Sequence, residues 1–318
     1  MKAKTKAKYR YYKLSFILLV VLAFIYVFLP QLPSFQSSLQ IIWRADVAYI
    51  VLAVLIFIAT YFASAACLCS LAYFKLRYWP TVLVQTADGF TNRLAPAGIG
   101  AIATNTLYMK KQSRSGLKAG YVAVLNNLIG LVIHLILLLV LLLVSQSFTQ
   151  DLFQPRHDIS RSFVLIVPIL ALLAGLFWYR LKPASIKKLK RLGAVAALSL
   201  EHPWRLLSAS CFAVAITVLY ALTLVAVMLA LNVHITLLQT FLVFTASVIA
   251  SVITPTPGGL GGVEASLVAI LVAFGIAPGP ALSVALVYRL ITYWLPILPG
   301  AVALEIVIKR GYLTRAKT

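Results

Sequence analysis

The chain has 318 residues, 62% hydrophobic and 11% charged, with a mean hydropathy of +0.98. Soluble domains carry about 25% charged residues, so this balance excludes a soluble fold and indicates one polytopic membrane domain. The net charge of +21 is accounted for by Lys and Arg collected in loops on one side of a bilayer, without invoking nucleic acid.

The N-terminal positives Lys2, Lys4, Lys6, Lys8, Arg10 and Lys13 precede an apolar run from Leu14. The start resembles a signal peptide, but no small-x-small site occurs before Pro30, so a retained first helix over 14–33 is expected. A second span is predicted over 46–74, then an interrupted apolar hairpin over 80–109 that contains Pro96-Ala97-Gly98-Ile99-Gly100. Further spans follow at 119–145, 162–180 and 205–231. A second interrupted hairpin covers 238–276 with Pro257-Gly258-Gly259-Leu260-Gly261-Gly262, and a last span covers 281–308. Between 162–180 and 205–231, Ile186, Leu189 and Leu192 alternate with Lys187, Lys188, Lys190 and Arg191. That stretch reads either as an interfacial helix on anionic lipid or as a solvated connector.

Charge placement orients the chain. All but five of the 28 Lys and Arg fall in the N-terminus, in the ends around the first hairpin, in the 180–205 connector or in the C-terminal tail, all assigned to the cytoplasm. The exceptions are Arg44, Arg156 and Arg161 in external loops, and Arg93 and Arg289 within apolar segments. Both termini are then cytoplasmic. The first hairpin opens inward, and the second, whose ends lack Lys and Arg, opens outward. Each half reads helix, helix, re-entrant hairpin, helix, in opposite directions: repeat 1 over about 14–145 and repeat 2 over about 162–308. The broken motifs lie about 160 residues apart, and Val122–Ile129 aligns with Val284–Ile291 at nearly the same offset. The expected fold is thus all-α: an inverted-topology repeat with about six spans plus two re-entrant hairpins whose tips meet near midplane.

Irregular backbone at membrane depth must be buried in protein or line a cavity. The glycines free backbone N–H groups, and a helix starting at Gly262 would direct its N-terminal partial charge at an anion. Of the seven acids, Glu264 stands deepest, just after this break, and needs a partner or a polar cavity. Asp46 and Glu305 lie near helix ends, whereas Asp151, Asp158 and Glu201 fall in loops. Two cations could meet Glu264: Arg289 in the last span and Arg93 beside the first motif. Either Arg93 and Arg289 attract an anionic headgroup while Glu264 balances them, or Glu264–Arg289 is an ion pair pinning the repeats together. Translocation candidates are Arg93, Pro257, Gly258, Gly259, Gly261, Gly262, Glu264 and Arg289; secondary candidates are Asp88, Asn92, Asn127, Tyr288 and Tyr293. His134 reads as a core histidine. Cys67, Cys69 and Cys211 lie in apolar segments and form neither a disulfide framework nor a zinc-type spacing, so no metal or cofactor is expected.

The stretch Thr254-Pro255-Thr256-Pro257-Gly258-Gly259-Leu260-Gly261-Gly262-Val263-Glu264-Ala265, with Tyr288-Arg289-Leu290-Ile291-Thr292-Tyr293-Trp294-Leu295-Pro296 and Gly300, resembles the flippase-type transmembrane domain of the lysyl-phosphatidylglycerol synthase family. Ala101 stands after the first motif where members of that family often carry an acidic residue. The resemblance implies movement of a phospholipid or related lipid between leaflets, with the Pro257–Glu264 segment and Arg289 as functional residues. It implies membrane phospholipids as partners, anionic headgroups among them, in a prokaryotic cytoplasmic membrane. A second copy of the chain or a separate lipid-synthesis enzyme is a further candidate partner. The competing readings are an integral membrane lipid-modifying enzyme of glycosyltransferase type, or a non-transporting partner subunit of a lipid synthase. Such enzymes usually need paired acids, and here the acids are scattered singly, so a non-enzymatic role is expected.

Overall fold

A computed structural model describes residues 40–94, 99–144, 202–254 and 256–313. Within them every regular element is a helix. In chain order these are α1 (Val47–Leu71), α2 (Tyr78–Leu94), α3 (Ile99–Ser113), α4 (Gly116–Val144), α5 (Pro203–Ala230), α6 (Leu237–Ile253), α7 (Gly262–Ala273), α8 (Pro278–Arg289) and α9 (Ile297–Lys309). A 3-10 turn at Pro257–Gly259 separates α6 from α7, and a π turn at Leu290–Trp294 joins α8 to α9.

Four helical runs are long and apolar enough to cross a bilayer: Val47–Leu71, Gly116–Leu141, Pro203–Ala230 and Pro278–Lys309. They match four of the six expected spans. The other two, 14–33 and 162–180, lie outside the described residues, as do the N-terminal positives, the 184–200 connector and Pro96-Ala97-Gly98. The remaining helices are shorter. With 17 residues in α2, 15 in α3, 17 in α6 and 12 in α7, each falls below the ~20 residues a span requires.

α1 and α5 pack antiparallel. At one end the Asp46 N–H donates to Ala230 O (2.9 Å); at the other, Arg205 Nη1 donates to Ala72 O (3.3 Å). Asp46 also caps α1, its Oδ1 accepting from Ala48 N at 2.8 Å, so this helix-end acid satisfies an orphan donor. Further basic residues gather at the Arg205 end. Lys111 Nζ donates to Gly311 O (2.7 Å), and Lys118 lies over the Tyr73 ring.

The core divides into two apolar clusters along this axis. Ala53, Phe57, Val227, Leu267, Leu282 and Ala285 belong to one. Leu68, Tyr108, Met109, Ala209, Ala303 and Val307 belong to the other. The last helical run passes from the first cluster to the second across the π turn, with α8 in one and α9 in the other. α9 lies tightly along α2. A Cβ on Gly300 would sit 2.8 Å from Phe90 N and 3.0 Å from Thr86 O, so only glycine lets the two backbones approach this closely. α4 instead exposes Leu128, Val132, Leu135, Ile136 and Leu139, and His134 Nδ1 is satisfied by Gly130 O at 2.6 Å.

Candidate functional site

The second hairpin is built around glycine backbone geometry. After α6 stops at Ile253 the chain turns through Gly258 (φ 61), Gly259 (φ 68) and Gly261 (φ 85) before Gly262 opens α7. Gly258 is doubly constrained. Its left-handed backbone disfavours any side chain, and a Cβ there would run into the Tyr293 ring. Gly261 has no side-chain oxygen to cap α7, so only the return half of a capping box forms: Glu264 Oε2 accepts the Gly261 N–H at 2.8 Å. A carboxylate in the first helical turn also suits the partial positive charge there. The N-terminus of α7 is thereby occupied by its own residue.

The second oxygen of that carboxylate meets a cation. Arg289 Nε donates to Glu264 Oε1 at 2.6 Å, and Arg289 Nη2 donates to Gly258 O at 3.1 Å. Glu264 is 7% exposed and Arg289 8%, so the pair is closed off from solvent. The guanidinium carbon of Arg289 lies 4.4 Å from the centre of the Tyr293 ring, within cation–π range.

Arg93 reaches the same ring from the first half, its guanidinium carbon 5.6 Å from the ring centre. It sits in the last turn of α2, where helix carbonyls lack donors. Its Nη1 donates to Gly89 O, its Nη2 to Thr292 O, and its Nε to Tyr293 O at 2.7 Å. The Thr292 carbonyl lacks its usual helical donor because Pro296 has no N–H, and the π turn alters the pairing next to it, with Leu295 N donating to Leu290 O (2.8 Å), five residues back. Arg93 thus bonds three carbonyls, whereas Arg289 takes the carboxylate. Among the described residues the ion pairs are Glu264–Arg289 and the exposed Lys309–Glu305.

The family model for the lysylphosphatidylglycerol synthase TM region matches residues 14–300. The chain belongs to that family. The UPF0104 membrane protein PH1989 of Pyrococcus horikoshii is 38% identical over 76 residues, covering 24% of this chain and 23% of that relative. The chain therefore matches less than a quarter of the relative's length. As a member of the lysylphosphatidylglycerol synthase TM family with four runs able to span a bilayer, it is a helical membrane protein.

In this family member the structure joins six of the residues singled out from sequence: Arg93, Gly258, Gly261, Glu264, Arg289 and Tyr293, whose ring both guanidinia approach. Pro257 and Gly259 belong to the 3-10 turn and Gly262 starts α7. Tyr288 is buried in apolar surroundings. Asp88 lies on the α2–α3 interface and accepts from Asn105 Nδ2 at 2.6 Å. Asn92 Oδ1 is buried with no hydrogen-bond partner. Asn127 turns back on α4, its Nδ2 3.4 Å from Ala123 O. The sequence reading missed the Thr292 and Tyr293 carbonyls, although Pro296 was a signal for the first. It also passed over Gln85, which donates to Asn105 Oδ1 at 3.1 Å and has no mark in the sequence beyond its polarity.

Proposed function

We propose that this chain moves a phospholipid or related polar lipid between the leaflets of a prokaryotic cytoplasmic membrane. The observation that carries this reading is the convergence of Arg93 and Arg289 on Tyr293, with Glu264 holding Arg289 inside the protein. A buried pair of this kind is stable closed and chemically competent when opened. A lipid phosphate offers guanidinium the same bidentate acceptor geometry as a carboxylate and can exchange for Glu264. Arg93, held by three carbonyls and the Tyr293 ring, supplies a second cation for the same headgroup. The tails remain in lipid while the headgroup crosses.

The architecture we favour is the inverted repeat, with α2–α3 and α6–α7 as re-entrant hairpins and both termini cytoplasmic. Their short helices support it, as do the basic side chains collected at the Arg205 end of the bundle. Rocking of one repeat against the other would expose the Tyr293 level first to one side and then to the other. The lipid's own chemistry is left to a separate enzyme.

The test is leaflet exchange in proteoliposomes, read by dithionite quenching of headgroup-labelled anionic, zwitterionic and cationic lipids, with Glu264→Gln and Arg289→Gln alongside. Acceleration by the wild type that both variants lose supports the reading, and the preferred headgroup gives the substrate class. A folded protein that accelerates no lipid overturns it.

A further inference from the structure

We propose that Asp88 is a proton-binding site, and that proton uptake there couples lipid movement to a proton gradient. The coupling rests on the transport reading above; proton binding itself does not.

Asp88 is 7% exposed, on the face of α2 that carries Gln85 and Asn92. Its Oδ2 accepts from Asn105 Nδ2 on α3 (2.6 Å), and Asn105 Oδ1 in turn accepts from Gln85 Nε2 (3.1 Å). Oδ1 accepts from Thr91 Oγ1 at 3.5 Å, and the Thr104 hydroxyl, 2.9 Å from Thr91 Oγ1 and 3.0 Å from Gly100 O, lies beside the same carboxyl. One turn further along α2, Asn92 Oδ1 is buried without any donor. The partners of the Asp88 carboxyl are thus neutral amide and hydroxyl groups, which can serve its protonated form as well as its charged one.

Among the described residues no cation pairs with Asp88. Along α2 itself, Arg93 is held by the Gly89, Thr292 and Tyr293 carbonyls. From α1 the Tyr61 hydroxyl faces Asp88 electrostatically and lies against Gly89, but it carries no positive charge. On α3, Tyr108 bonds to Thr81 and Lys110 and Lys111 sit in the last turn. On α9, Glu305 and Lys309 pair with each other at an exposed position, and the 3-10 turn is Pro-Gly-Gly. Burying a carboxylate without a cation is expensive enough that such a group takes up a proton instead.

The step is a simple protonation: Oδ1 gains a proton from water on one side and returns it to water on the other. Protonated, Asp88 closes the α2–α3 interface as a neutral group. Deprotonated, it favours hydration of that interface. Arg93, five residues along the same helix, transmits the change to the π turn and to Tyr293.

The experiment uses the full chain in vesicles of phosphatidylglycerol and phosphatidylethanolamine. Infrared difference spectra across a pH titration are expected to show a protonated-carboxyl C=O band in wild type and Glu264→Gln that is missing in Asp88→Asn and shifted in Asp88→Glu. Identical bands in wild type and a folded Asp88→Asn overturn the proton site. In the same vesicles a gradient of one pH unit should change wild-type exchange by up to about tenfold, the ratio of proton activities. Asp88→Asn should lose that response and Asp88→Glu should keep it. Wild-type exchange indifferent to the gradient overturns coupling and leaves the transport reading intact. An Asp88 band with no exchange in any sample supports the proton site and overturns the transport reading.

Discussion

The two hairpins handle buried charge in opposite ways. In the second, Glu264 and Arg289 form one ion pair that also satisfies the Gly261 N–H and Gly258 O. In the first, the carboxylate and the cation are kept apart: Asp88 takes an amide, and Arg93 takes three carbonyls. A neutral pair can be closed or opened as a unit. Where a carboxylate and a cation have separate partners, the carboxylate can lose its charge without breaking an ion pair.

The largest expected effect breaks this contrast at its strongest point. Glu264→Ala leaves Arg289 as an unpaired buried cation and should destabilise the protein by about 3–5 kcal/mol, seen as a lower unfolding midpoint in detergent. A cycle with Arg289→Ala should give a coupling of about 1–3 kcal/mol; additive effects would show that the two residues act separately. Next comes Gly258→Ala, which must hold an L-residue near φ 61 and displace the Tyr293 ring. A loss of about 2 kcal/mol follows from backbone strain and the shifted ring. Arg93→Lys keeps the charge but replaces a planar fork by a point charge, so two of the three carbonyls lose their donor; about 1–2 kcal/mol is expected. Asp88→Asn removes the charge and preserves the shape, so its unfolding midpoint should move by under about 1 kcal/mol in either direction. Were Asp88→Asn as damaging as Glu264→Ala, the contrast between the hairpins would collapse. Lys309→Ala breaks only the exposed pair with Glu305 and should leave the midpoint unchanged.

The part of the site legible in the sequence was what membrane depth makes expensive. Glu264 after a glycine break had to find a cation, and Arg289 and Arg93 were the cations within apolar segments. Which arginine took it was not legible, because the answer depends on what else Arg93 could bond. The Thr292 carbonyl lacks a helical donor because Pro296 cannot donate, an inference available from the sequence; that Arg93 also reaches the Tyr293 carbonyl depends on how α2 packs against the π turn, which periodicity does not announce. Four spans followed from apolar run length alone. Asp46 was placed near a helix end for the right reason, low cost at an interface, but its capping bond required the turn at Ala45 to be seen. Asn127 drew attention as a polar residue in an apolar run, yet its own helix satisfies it.

The π turn also sets the angular phase of everything after it. Each helical residue advances the chain by about 100°, so the extra residue in Leu290–Trp294 determines which side of α9 faces α2. Gly300 meets Phe90, and Ala303 and Val307 reach the second cluster, only in that phase. Deleting one residue anywhere in the turn would restore an ordinary helix while rotating bulkier neighbours into the α2 crossing. Outside Tyr293, the chain should therefore tolerate substitutions across this stretch far better than any change in its length.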